Sequence, residues 1–248
     1  MIYKKHLILI IILNLGIVDC ADLSFPLPKM LPSEIYETAQ KKLQANNFQD
    51  AITQLEILNN RYPFGPYSQQ VQLDLIYAYY KNNNFSLAQT VIKNFIHLNS
   101  THANIDYVIY MKGLINMTLD QKIFWSILKI VDSSDRDSKY ALDAWHDFLE
   151  LLRKYPKSYY AADAYKRLIY LKERIAKYEL QVVEFYINHR AYIAAVKRVE
   201  SMLKNYPDTL STYKALPLME HAYYHLKMPE EAKKVTKIIA FNNRFRIN

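Results

Sequence analysis

An alanine followed twelve residues later by a proline, itself preceded by tyrosine, occurs three times: Ala51 to Tyr62-Pro63, Ala144 to Tyr155-Pro156 and Ala195 to Tyr206-Pro207. Apolar residues stand four and seven positions after each alanine: Leu55 and Leu58, Phe148 and Leu151, Val199 and Met202. That spacing puts three side chains on one helix face. The small alanine lets a second helix approach closely, and proline, lacking an N–H and clashing with the preceding turn, stops the helix. The same frame runs from Ala88 through Ile92 and Phe95 to Ser100, where serine replaces proline, and from Ala232 through Thr236 and Ile239. It is the second-helix pattern of a tetratricopeptide repeat, and five units align.

A first helix is predicted upstream of each unit, over about 33–45, 68–81, 104–119, 159–188 and 211–226, all with helical rather than alternating periodicity. Ser33 reads as the N-cap of the first, and Pro32 and Pro66 as chain entries. The fourth first helix runs ~30 residues, about 45 Å, enough to tie the two halves of the array together. Gly113 holds the small-residue position of the third unit, yet lies 31 residues before Ala144 rather than 12. About 19 residues are therefore inserted around Trp125 to Lys139, as a loop or short helix. The expected fold class is all-α: a tetratricopeptide-repeat superhelix of five helix pairs behind a signal segment.

Glycine scarcity excludes other designs. Only Gly16, Gly65 and Gly113 occur, too few for a phosphate-cradling loop, a dinucleotide-binding turn or a set of tight hairpins. Turns made of Asn, Pro and Ser must join the helices. Lys4 and Lys5 followed by the apolar run Leu7 to Val18 form an export signal, too short for a spanning helix. Cys20, the only cysteine, stands at its end, as in a bacterial lipoprotein whose acyl chains hold the protein on a membrane. Asp19 departs from the small residue that such processing favours, and an uncleaved anchor or an ordinary cleavage nearby are the alternatives. The expected organisation is a signal peptide over 1–19, a proline-rich tether over 20–32, the repeats over 33–241 divided at 152/153, and a tail over 242–248.

The formal charge of +8 is uneven: 11 Lys+Arg against 14 Asp+Glu over 21–152, and 19 against 9 over 153–248. The C-terminal half thus carries +10, a field that suits an acidic protein, an anionic membrane or nucleic acid, or merely solvates helix faces. No RNA-stacking motif accompanies it, which disfavours nucleic acid. His221 and His225 share a helix face, but without the glutamate of a metalloprotease helix they read as surface or packing residues. Asp132, Asp135 and Asp137 fail the calcium-loop register because Arg136 occupies a ligand position. With no catalytic order, paired cysteines or cofactor loop, neither enzyme activity, metal nor cofactor is expected. The 22 tyrosines, including Tyr77, Tyr80, Tyr159, Tyr160, Tyr223 and Tyr224, read mostly as repeat packing, the remainder as the lining of a groove that holds an extended peptide.

The run from Arg61-Tyr62-Pro63-Phe64-Gly65-Pro66-Tyr67 to Ala78-Tyr79-Tyr80-Lys81 closely resembles the BamD family, the tetratricopeptide lipoproteins of the outer-membrane β-barrel assembly (BAM) complex. Asn104-Ile105-Asp106-Tyr107-Val108, Ser134-Asp135-Arg136-Asp137, Ala176-Lys177-Tyr178-Glu179 and Ala215-Leu216-Pro217-Leu218-Met219-Glu220 match as well. The resemblance implies a periplasmic, non-enzymatic subunit anchored to the outer membrane through Cys20. It implies docking of the C-terminal repeats on the POTRA domain of BamA, with Arg198 at that contact, alongside other BAM lipoproteins. The N-terminal repeats are then expected to meet unfolded β-barrel substrates, and the turn with Tyr62, Phe64 and Tyr67 is the candidate surface, or else a stiff turn whose aromatics pack inward. A generic periplasmic adaptor for cell-envelope enzymes shares fold and location but not the Tyr62 to Lys81 string.

Overall fold

The computed structural model describes residues 30–127 and 138–246, and among them the chain forms helices only. In order these are α1 (Pro32–Gln44), α2 (Phe48–Arg61), α3 (Ser68–Lys81), α4 (Phe85–Leu98), α5 (Ile105–Ile127), α6 (Lys139–Lys154), α7 (Ala161–Asn188), α8 (Tyr192–Asn205), α9 (Leu210–His225) and α10 (Pro229–Arg246). Each packs on its chain neighbours. In addition α3 packs on α5 and α7 on α9, so first helices of successive units stand side by side. This is the tetratricopeptide arrangement of five helix pairs. No described helix is long and apolar enough to cross a membrane. The signal segment, Cys20 and the tether up to residue 29 lie outside the described residues, as do residues 128–137 with Asp132, Asp135 and Asp137.

The alanine frame is the inner face of the second helices. Ala51, Ala88, Ala144, Ala195 and Ala232 are all fully buried, and so are Leu55, Phe95, Phe148, Leu151, Val199 and Met202. The fifth unit departs from it: Thr236 is exposed and Val235 takes the inner place. Because α10 packs on α9 and on no later helix among the described residues, only the residues aimed at α9, Ala232 and Val235, are enclosed. The helix start at Ser33 is also corrected. Pro32 is the first helical residue and Leu31 the N-cap, whose N–H donates to Glu34 Oε2 at 2.9 Å. Proline suits that position because its missing N–H would have no partner there.

Two turn types alternate. Within units, Asn46, Asn83, Arg190 and Lys227 adopt left-handed backbone, φ 57–63°. The N–H of Arg190 donates to the Ile187 carbonyl and that of Ala191 to the Tyr186 carbonyl, a pair repeated at the other three turns. Arg190 and Lys227 thus occupy positions where Asn was expected, and neither shows a turn signal in sequence. Between units, Tyr62, Asn99, Tyr155 and Tyr206 share φ between −131° and −135°. Each carbonyl accepts from the N–H three residues on, in Gly65, His102, Ser158 and Thr209. Asn99-Ser100 therefore makes the same turn as Tyr-Pro.

Of the insertion expected as a loop or short helix, Trp125 belongs to a prolonged α5 and Lys139 to α6. Its size is confirmed by two equivalent tyrosine stacks. Tyr36 and Tyr67 stack at 4.8 Å and 19°, and Tyr110 and Tyr160 at 4.6 Å and 21°. The first partners are 31 residues apart and the second 50, a difference of 19. Gly113 faces the fully buried Phe148 ring so closely that a Cβ there would lie 2.7 Å from its Cε1.

The 28-residue α7, about 42 Å long, joins two cores. Its Leu168, Leu171 and Ile175 complete a cluster that begins at Ile35, whereas Leu180 and Val183 belong to a second cluster with α8, α9 and α10. Polar contacts lock it on both sides. Arg174 pairs with the buried Asp120 of α5 at 3.0 Å. Glu173 accepts from the Leu210 and Ser211 N–H groups and from Ser211 Oγ, so α7 caps the start of α9.

Candidate functional site

A tyrosine-rich strip runs along the first helices of the N-terminal units. At one end the Tyr36–Tyr67 stack leads to Asp74 on α3, which accepts from Tyr36 Oη at 3.1 Å, Gln40 Nε2 at 2.6 Å and Gln70 Nε2 at 2.9 Å. Burial pushes the Asp74 carboxyl above its ordinary range against these donors, and burial with the adjacent carboxylate pushes the Tyr36 hydroxyl up. Beyond Asp74 a groove of ≈ 460 Å³ opens between α3, the start of α5 and the turn before α7. Tyr77, Tyr107, Tyr159 and Tyr160 line it together with Gln70, Asp74, Asn104 and Asp106.

The packing of three units builds this groove. Asp106 Oδ2 accepts from Ser158 Oγ at 2.7 Å and Oδ1 from its neighbour's N–H at 2.8 Å, which fastens the turn before α7 to α5. Tyr160 stacks on Tyr110, whose hydroxyl donates to Asp163 at 2.6 Å. Tyr159 meets Tyr160 edge-on at 5.4 Å and is 92% exposed. The groove thus has a fixed aromatic wall, one free ring at its rim and two carboxylates.

The turn singled out from sequence divides. Tyr62 and Tyr67 come together around a hollow with Pro32, Leu58 and Val71 that is too tight for a water molecule, and both rings pack inward. Phe64 stands 98% exposed beside them. Gly65 sits under Tyr62, with its Cβ position 3.2 Å from the Tyr62 carbonyl oxygen. Arg198 lies on α8, away from this strip, and its guanidinium donates to Glu179 Oε2 of α7 at 2.9 Å. Burial opposes its charge, but Glu179 and Tyr186 outweigh burial and raise its proton affinity. His225 lies flat on the Tyr192 ring at 4.5 Å and 5°, with His221 edge-on beside it, an aromatic packing cluster. Tyr77, Tyr159 and Tyr160 stand out in sequence only as tyrosines at helical spacing. Asp74, Asp106 and Tyr107 stand in strings that match the BamD family but carry no chemical motif of their own, because what unites them is the stacking of successive pairs.

Fold and site together define a tetratricopeptide-type scaffold with a recessed aromatic surface. The chain belongs to the YfiO family of outer membrane lipoproteins, whose model matches residues 28–238. It is 41% identical over 223 residues to the outer membrane protein assembly factor BamD of Vibrio cholerae, covering 90% of this chain and 92% of that protein. It is likewise 41% identical over 209 residues to the assembly factor BamD of Buchnera aphidicola, 84% and 85% of the two chains. To that of Haemophilus influenzae it is 32% identical over 226 residues, 91% and 86% of the two.

Proposed function

We propose that this chain is a non-enzymatic scaffold of outer-membrane protein assembly. It docks on the POTRA region of BamA through its C-terminal repeats and helps recognise and insert unfolded β-barrel proteins through its N-terminal ones. Cys20 carries the lipid that holds it on the periplasmic face of the outer membrane. The observation that carries this reading is the identity to the Vibrio cholerae assembly factor over nine-tenths of both chains, which a generic repeat adaptor does not share. The division of labour is supported by charge: the half assigned to BamA carries +10, and the half assigned to substrates carries −3. The exposed Phe64 and the tyrosine groove, closed on its far side by Tyr159 and Tyr160 at the start of the fourth unit, supply the contact surface for substrates.

The test is co-purification of BamA from outer membranes with the wild-type chain, Arg198→Glu and Arg61→Glu at low and high salt. Arg198→Glu weakens recovery of BamA, more so at low salt, while Arg61→Glu does not. Because Arg198 is paired with Glu179 inside the chain, the swapped pair Arg198→Glu with Glu179→Arg separates docking from architecture. It keeps an internal ion pair but still loses BamA. Equal losses in Arg198→Glu and Arg61→Glu, or none, refute the proposed dock.

A further inference from the structure

The groove between α3, α5 and the turn before α7 holds two carboxylates and no cation. Asp74 is satisfied by Tyr36, Gln40 and Gln70, and Asp106 by Ser158 and a backbone N–H, all neutral donors. No lysine or arginine lines the groove. The two buried carboxylates among the described residues each have a charged partner: Asp147 has Lys112 at 2.7 Å and Asp120 has Arg174 at 3.0 Å. Carboxylates partly withdrawn from water without a counter-charge are poised for one from outside.

The walls have the same preference. Tyr77, Tyr107, Tyr159 and Tyr160 present aromatic rings around the two carboxylates, and ring faces attract a guanidinium or ammonium group. The volume of ≈ 460 Å³ admits one or two long side chains. The rim continues along α3 to the Tyr36–Tyr67 stack and the exposed Phe64, which gives an extended chain aromatic contacts on the way in. We propose that this groove is a cation-selecting subsite that receives an arginine or lysine side chain of an extended, unfolded polypeptide. The inference rests on the reading that the N-terminal repeats receive unfolded chains; the selection by charge comes from the groove itself.

Binding is measured by fluorescence anisotropy on the full chain, with short labelled peptides of alternating aromatic and polar residues that differ only in a central arginine or its neutral isostere citrulline. The arginine peptide binds about tenfold tighter, the sum expected from a ring-face contact and a half-exposed ion pair. The gap closes in Asp106→Asn, which keeps an acceptor for Ser158, and narrows in Tyr159→Ala, whose ring is exposed enough to remove without disturbing the fold. Circular dichroism reports that both variants keep their helices. Equal affinity of the two peptides, no binding of either below about 1 mM, a gap that persists in both variants, or spermidine competing as tightly as the arginine peptide overturns the assignment. If the wild-type chain fails to bring down BamA, the assembly reading falls whatever the peptides do. If BamA is recovered and the gap is absent, only this inference falls.

Discussion

Replacing Gly113 by alanine sets two effects of known sign against each other. In a helix interior the change gains about 1 kcal/mol of propensity, since glycine leaves more backbone freedom to lose. At this site the new methyl would lie 2.7, 2.8 and 3.0 Å from three ring atoms of Phe148. Ordinary carbon contacts lie at about 3.5–4.0 Å, so the ring must retreat by roughly 1 Å. The Phe148 ring is fully buried, with Tyr110 at 5.9 Å on α5, and a close-packed interior passes that displacement on instead of absorbing it. Overpacking of this kind costs about 1–3 kcal/mol. The net expectation is a loss of about 1 kcal/mol, read as a lower urea midpoint by circular dichroism. In a Phe148→Leu background the ring edge is gone, and the same Gly113→Ala change becomes neutral or stabilising by up to about 1 kcal/mol. A stabilised single variant, or the same effect in both backgrounds, refutes the claim that this glycine exists for the ring.

Two further outcomes follow from the backbone and from burial. Arg190→Gly and Lys227→Gly, each at an exposed left-handed turn position, raise the unfolding free energy by roughly 0.5 kcal/mol, the strain released less the entropy glycine brings to the unfolded chain, read as a higher urea midpoint; a lowered midpoint in both contradicts the turn assignment. Asp147 is held above its ordinary value of 3.8 by burial, against Lys112 and Asn116. The native state therefore keeps that proton to higher pH than the unfolded chain, and this group's contribution to stability falls as pH rises from 3.8 through the folded value and is constant above it. Urea unfolding of the wild type and Asp147→Asn across that window shows the wild-type advantage shrinking with rising pH, and parallel profiles refute it.

How much of the site is legible in sequence differs residue by residue. The turn with Tyr62, Phe64 and Tyr67 stands out as a proline-bounded aromatic string, yet nothing local says that Tyr67 stacks on Tyr36 while Phe64 faces water. Arg198 is found through resemblance and charge. Its bond to Glu179, 19 positions earlier, depends on how α7 and α8 cross. Asp74, Asp106, Tyr107 and Tyr160 come from different helices and turns, so their common groove leaves no spacing to read.

The sequence by itself determines the helices, the alanine faces and the breaks between units, because helical periodicity, small-residue contact and the missing N–H of proline act within a turn or two of chain. It also reveals that the third unit is about 19 residues too long. Only the tertiary structure decides that Arg190 and Lys227 take left-handed turns without glycine, that α7 divides its length between two cores, and that two carboxylates and four tyrosines from three units share one recess. The physical reason is common to all three. Each depends on the rotation and spacing at which helices stack, within a pair for the two turns and between successive pairs for the other two, set by the packing of buried side chains rather than by the preference of any one segment.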